Sequence, residues 1–119
     1  MPYDSFVFLS EPSGPPQQVI LSEVTSKSVK VSWGPVLAVD RNGIIRGYKV
    51  NYRALPNGSN FTEFVNIPSG QQGGGRTKVL KALNEFTNYS ISVLAFTKVG
   101  DGPLSDVKFV QTLQDSKLK

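Results

Sequence analysis

The chain has 119 residues, a formal net charge of +4 and a pI near 9.5, and it contains neither cysteine nor histidine. That composition excludes disulfide frameworks, thiol catalysis and cysteine metal sites, and it removes the commonest general base and metal ligand. The length suits one domain with short tails, and no apolar run approaches the ~20 residues of a transmembrane helix.

In chain order, Phe6-Val7-Phe8-Leu9 is a short apolar run preceded by the acidic Asp4, which is not the pattern of a signal peptide. It reads either as the last strand of a preceding module or as a tail. If the parent protein is secreted, the chain is expected to come from its middle. Ser10-Glu11-Pro12-Ser13-Gly14-Pro15-Pro16 is a linker by composition, with stiff prolines and a hinge expected at Gly14. Residues 1–14 are therefore assigned to a linker or remnant, 15–113 to the domain, and 114–119 to a second linker.

Val19-Ile20-Leu21 is a short first strand. Residues 28–33 alternate, with Val29, Val31 and Trp33 on one face and Lys30 and Ser32 on the other, as in a half-buried strand. Pro35 ends it. After a turn at Asp40-Arg41-Asn42-Gly43, residues 45–53 form a third strand with Tyr48, Val50 and Tyr52 inward and Lys49, Asn51 and Arg53 outward. Asn57-Gly58 predicts a tight hairpin into a strand over 61–67. Gly73-Gly74-Gly75 invites a phosphate-cradle reading, but no helix pattern follows, so the glycines read as a flexible loop. Residues 77–83 make the next strand, with Leu80 and Leu83 as core positions. From Tyr89, Ile91, Val93 and Ala95 share one face, and Ser90, Ser92, Leu94 and Phe96 the other. Val99-Gly100-Asp101-Gly102-Pro103 is a turn. The last strand, residues 105–112, has apolar residues of both parities, which predicts either a bulge or apolar side chains on both faces.

Leu83 lies six residues before Tyr89, a spacing that suits a tyrosine corner. Together, Leu-x5-Tyr-x-Ile-x-Val-x-Ala-x4-Gly-x-Gly-Pro-x-Ser from Leu83, Val-x-Val-x-Trp-x-Pro from Val29 and Ile-x-Gly-Tyr-x-Val-x-Tyr from Ile45 strongly resemble a fibronectin type III domain. The resemblance covers residues 15–113. It implies an all-β fold: a seven-stranded antiparallel immunoglobulin-like β-sandwich with sheets A-B-E and C′-C-F-G in the family's lettering. Trp33, Tyr48, Val50, Leu83, Tyr89, Ile91 and Val93 are the expected structural core. Because such domains hold together without a disulfide, the missing cysteines say nearly nothing about compartment.

The carboxylates are scattered singly and no nucleophile–base pair exists, so neither an enzyme nor a cofactor is expected. The mild positive charge reads as a solvated surface, with a heparin-like polyanion or an anionic membrane as the sharper reading. Nucleic acid is not expected, for want of an arginine-rich run or a stacking platform. Three sequons, at Asn57, Asn60 and Asn88, exceed the roughly one that chance provides and are glycosylation candidates. Integrin-binding members of the family carry Arg-Gly-Asp in the loop after strand F; here Val99 stands where the arginine would be, and no such binding is expected. Lys49, Arg53, Leu94 and Phe96 are the candidate contact face, with Leu94 and Phe96 exposed and a cation–π contact between Arg53 and Phe96; the resemblance implies the alternative of a Phe96 ring covered by lysine or arginine stems. The loop before the third strand looks most like repeats of cell-surface adhesion proteins and receptor tyrosine phosphatases. The expected role is a non-catalytic spacer and protein-interaction module at the cell surface, within a larger, single-pass membrane protein. Neighbouring domains are its expected partners, and the isolated domain is expected to be monomeric. The rival readings are a structural repeat of an intracellular, sarcomere-like protein and an accessory module of a secreted enzyme.

Overall fold

The computed structural model describes residues 9–68 and 74–115. The expected strand end at Phe6-Val7-Phe8 and part of the glycine-rich loop lie outside the described residues.

Seven strands form: β1 (Gln17–Ser22), β2 (Val29–Gly34), β3 (Gly47–Ala54), β4 (Asn60–Asn66), β5 (Arg76–Leu80), β6 (Asn88–Phe96) and β7 (Lys108–Gln111). They pair antiparallel into a three-stranded sheet, β1-β2-β5, and a four-stranded sheet, β4-β3-β6-β7. These are the two sheets that the resemblance implied. Alternation places one face of each sheet in a shared core. Val29, Val31 and Trp33 enter it from β2, Tyr48 and Val50 from β3, Leu80 from β5, and Tyr89, Ile91, Val93 and Ala95 from β6. The rings of Trp33 and Tyr48 meet edge to face at 5.3 Å, the arrangement that sets a positive ring edge against a negative face.

The Tyr89 hydroxyl accepts a hydrogen bond from the Asn84 N–H at 2.8 Å. This is the corner expected from the spacing. It costs β5 its last predicted residues: the strand stops at Leu80, and residues 81–86 curl into the corner with Ala82 and Phe86 at positive φ. Leu83 still reaches the core.

Two local expectations differ from what forms, and one open alternative is decided. Neither Asn57 nor Gly58 has positive φ, as a two-residue type I′ turn would need. The Gly58 N–H instead donates to the Ala54 carbonyl at 2.8 Å, closing a wider loop. The register irregularity falls in β1, between Gln17 and Ile20, with Gln18 at φ 53°. Of the two readings of the last strand, apolar residues on both faces is the one that forms: Val110 packs on the core while Val107 and Phe109 are exposed. It starts only at Lys108, because Ser105 is used otherwise, its N–H donating to Val93 O and its hydroxyl accepting from Val93 N.

The second difference concerns residues 10–14. Ser10 N–H donates to Asn42 O, Ser13 N–H to Asp40 O, and the Thr97 hydroxyl to Ser10 O at 2.9 Å. Pro12 is fully buried. A Cβ on Gly102 would lie 2.7 Å from that of Pro12, so only glycine lets the loop after β6 close over the proline. Gly14 is itself buried, packed against the Asp40 side chain. From Ser10 onward the segment packs against the sandwich, with Gly14 against Asp40, where composition alone suggested a free linker.

Candidate interaction surface

The outward face of the four-stranded sheet is built by alternation. β3 contributes Lys49, Asn51 and Arg53, and β6 contributes Ser90, Ser92, Leu94 and Phe96. Register then decides which of them meet. Lys49 lies opposite Phe64 on one side and Leu94 on the other, Gly47 lies opposite Phe96, and Arg53 lies opposite Asn60 and Ser90.

At one end of the face Phe64 and Phe96 meet edge to face with centroids 6.3 Å apart. The Lys49 ammonium sits over both rings, 5.3 Å and 5.7 Å from their centroids, and forms an ion pair with Asp101 at 2.9 Å. A cation over two ring faces is held by their quadrupoles, and each such contact at an exposed site is worth about 0.5–1 kcal/mol. The Phe96 ring can lie over β3 because residue 47 is glycine: a Cβ there would stand 2.9 Å from the Phe96 ring and 2.5 Å from Val65 O.

This arrangement corrects the expected contact face in two places. Arg53 is six residues along the register from the partner of Phe96, and its guanidinium donates instead to Pro56 O at 2.9 Å. Lys49 supplies the cation. Neither expected exposed side chain is exposed: Leu94 is buried at 7 % accessibility and Phe96 is half-buried. The chain beside β6 accounts for this, with Gly102 and Ser105 bonding to Ala95 and Val93 and so lying along the strand at Leu94. Phe64, 56 % exposed, is the apolar group that the sequence reading missed; its parity with Thr62 in β4 was the available signal.

The other end of the face is polar along β3, β4 and β6, with the exposed Phe109 of β7 opposite Ser90. Thr62 donates to the Asn51 Oδ1 at 2.8 Å, and Asn51, Thr62, Ser90 and Ser92 help line a shallow groove of about 280 Å³. Tyr52, on the inner side, stacks on Phe61 at 5.6 Å. Burial pushes the Tyr52 hydroxyl pKa above its ordinary value, with the nearby Glu63 carboxylate adding to the effect. The turn after β6 is closed by the Thr97 N–H to Gly100 O bond and the bridge between Phe96 and Asp101. Val99 is exposed at its tip, and the carboxylate of Asp101 is engaged by Lys49. Asn57, Asn60 and Asn88 are all exposed.

The profile of the fibronectin type III domain family matches residues 14–111. The chain belongs to that family. Among curated relatives of this type III domain, human cell adhesion molecule DSCAM is 39 % identical over 104 residues, covering 87 % of this chain and 5 % of the relative. Cell adhesion molecule Dscam2 of Drosophila melanogaster is 34 % identical over the same length and shares. The domain thus spans about 5 % of the length of the adhesion molecules it matches. Among solved structures, the FN1-FN3 domains of chicken CNTN1 align with a TM-score of 0.73 at 25 % identity, over 87 % of this chain and 32 % of that one. The FN5 domain of Drosophila Lar aligns with a TM-score of 0.68 at 30 % identity, over 87 % and 99 %.

Proposed function

We propose that this type III domain is a non-catalytic module in the ectodomain of a cell-adhesion molecule or receptor, where it spaces its neighbours and offers its four-stranded face for weak protein contacts. One observation carries the reading: the chain enters and leaves at opposite poles. Ser10 is bonded to Asn42 and Thr97, at the end where β6 finishes, and Leu113 is bonded to Thr25 and Phe86, at the end where β6 begins. A strand rises about 3.3 Å per residue, so this geometry advances a tandem array by roughly 35 Å per module. Relatedness to cell adhesion molecules over 87 % of the chain supports the setting, at the surface of a cell and within a longer, membrane-anchored protein.

The partners in this reading are neighbouring domains and a protein ligand. At the entry pole Leu9, Ile44 and Val99 help line a largely apolar cleft of about 140 Å³, beside which a preceding domain would sit. A polyanion is less favoured, because Lys30, Lys49 and Lys78 are already paired with Glu23, Asp101 and Glu63. The Phe64–Lys49–Phe96 cluster, with Phe64 exposed and Phe96 half-buried, is one apolar part of the face. It is far smaller than the ~1,200 Å² at which stable interfaces begin, so the isolated domain is monomeric at micromolar concentration.

Sedimentation equilibrium at high concentration tests this on the parent domain and a Phe64→Ser/Phe96→Ser variant. Weak association in the parent that disappears in the variant is the expected result. A tight dimer in either, or equal association in both, removes this face as the contact surface.

A further inference from the structure

We propose that Asn88 carries an N-linked glycan whose first sugar lies on the exposed ring of Phe109. The inference rests on the extracellular reading above and deepens it by naming a modification site and the side chain that receives it.

Asn88-Tyr89-Ser90 is a sequon at the start of β6. Tyr89 is inward and buried, so alternation turns Asn88 and Ser90 to the outer face, where Asn88 is exposed. Its backbone carbonyl is held by the Leu55 N–H at 2.8 Å, while its side-chain amide makes no hydrogen bond to any described residue. The amide is therefore oriented by a fixed backbone and has nothing to give up on modification.

Phe109 supplies the second observation. It is 69 % exposed, on a short edge strand, with no aromatic partner among the described residues. Ser90 pairs with Phe109 and Asn88 with Gln111, so Asn88 and Phe109 are diagonal neighbours on one face, roughly 7–8 Å apart and within reach of an aromatic ring. The C–H bonds on the apolar face of a pyranose present partial positive charge, and the face of a phenyl ring presents the negative part of its quadrupole. Tethering makes the contact intramolecular, so a weak stack suffices. The other two sequons lack such a platform: Asn60 lies opposite Arg53, with the polar Asn51 as a diagonal neighbour, and Asn57 lies in the loop before β4.

The modification is a glycosyl transfer from a lipid-pyrophosphate-linked oligosaccharide. The Asn88 Nδ2 forms a bond to the anomeric carbon, the bond from that carbon to the pyrophosphate oxygen breaks, the lipid pyrophosphate departs, and Nδ2 loses one proton to the transferase. No oxidation or reduction occurs.

The test is to express the whole chain behind a cleavable secretion signal in animal cells, which presents the sequons to the transferase whatever compartment the parent occupies. Peptide mapping after enzymatic release, which leaves Asp in place of a modified Asn, reads occupancy at each site. Melting temperatures are then compared before and after release, in the parent, Phe109→Ser and Phe109→Tyr, with Asn57→Gln and Asn60→Gln present throughout so that only Asn88 can be modified. Asn88 is expected to be occupied, and its glycan to raise the melting temperature of the parent and of Phe109→Tyr, with the gain reduced by about half or more in Phe109→Ser. Melting of the released proteins shows separately that each variant folds. An unoccupied Asn88 overturns the site while leaving the spacer reading intact. Occupancy with an equal gain in Phe109→Ser overturns the docking.

Discussion

Tyr89 joins the two sheets' chemistry at one residue: its ring fills the core beside Tyr52, with centroids 6.5 Å apart, and its hydroxyl accepts from Asn84 N–H. Replacing it with phenylalanine keeps the ring and orphans a partly buried donor, so Tyr89→Phe should cost about 1–2 kcal/mol in a urea titration. Equal stability would mean that the corner bond is replaced by water without loss. Tyr48 gives a pH dependence. Burial raises its pKa above the ordinary 10.0, against the lowering influence of Arg76 and Arg41. Above the ordinary value the unfolded chain releases this proton while the folded one keeps it, so the unfolded state binds fewer protons and stability falls as pH rises. Stability should hold below about pH 10 and decline beyond it. Tyr52 is shifted the same way and should add to the decline. Urea midpoints measured from pH 8 to 11 should drop in the parent and drop less in Tyr48→Phe; parallel curves would assign the alkaline loss to other groups.

At the scale of elements, what was legible followed from period two. The inward residues of β2, β3 and β6 could be read from the sequence because one buried face forces strict alternation. Tyr89 announced its corner by its distance from Leu83. What could not be read was register. Alternation gives Lys49 and Arg53 the same face but does not say which lies near Phe96, and a shift of a few residues moves the cation from one ring to another. The burial of Leu94 was missed for a related reason, since it depends on the irregular chain over residues 102–105, which no periodicity describes. The loop after β3 was misread because the Asn57-Gly58 signal is statistical, and here the Gly58 N–H to Ala54 O bond sets the turn. Gly47 offers a direct test of the register. Its α-carbon lies where a methyl would meet Val65 O at 2.5 Å and the Phe96 ring at 2.9 Å. The first contact is with backbone and cannot rotate away, so Gly47→Ala should cost about 1–3 kcal/mol by forcing β3 and β4 apart or displacing Phe96. Unchanged stability by urea titration would show that Phe96 does not lie over β3.

For the whole molecule, the consequential feature is how the chain enters. Composition alone makes Ser10-Glu11-Pro12-Ser13-Gly14 a flexible linker, and in an array that would let neighbouring modules swing freely. Packing overrides composition: Pro12 is fully buried, and Thr97, Asn42 and Asp40 hold the backbone of residues 10–13. Over residues 10–14 the chain direction is then expected to follow the body of the sandwich. The absence of cysteine makes this measurable. Spin labels at Ser10→Cys and Leu113→Cys sit near opposite ends of β6, and a rise of about 3.3 Å per residue places their backbones roughly 35 Å apart. Electron–electron double resonance should give one narrow distance distribution near that value. Thr97→Val, which removes the hydroxyl bonded to Ser10 O while keeping a similar shape, should broaden it. A parent distribution as broad as that of Thr97→Val would mean that residues 10–14 swing freely after all, and that the domain sets the length of an array but not its direction.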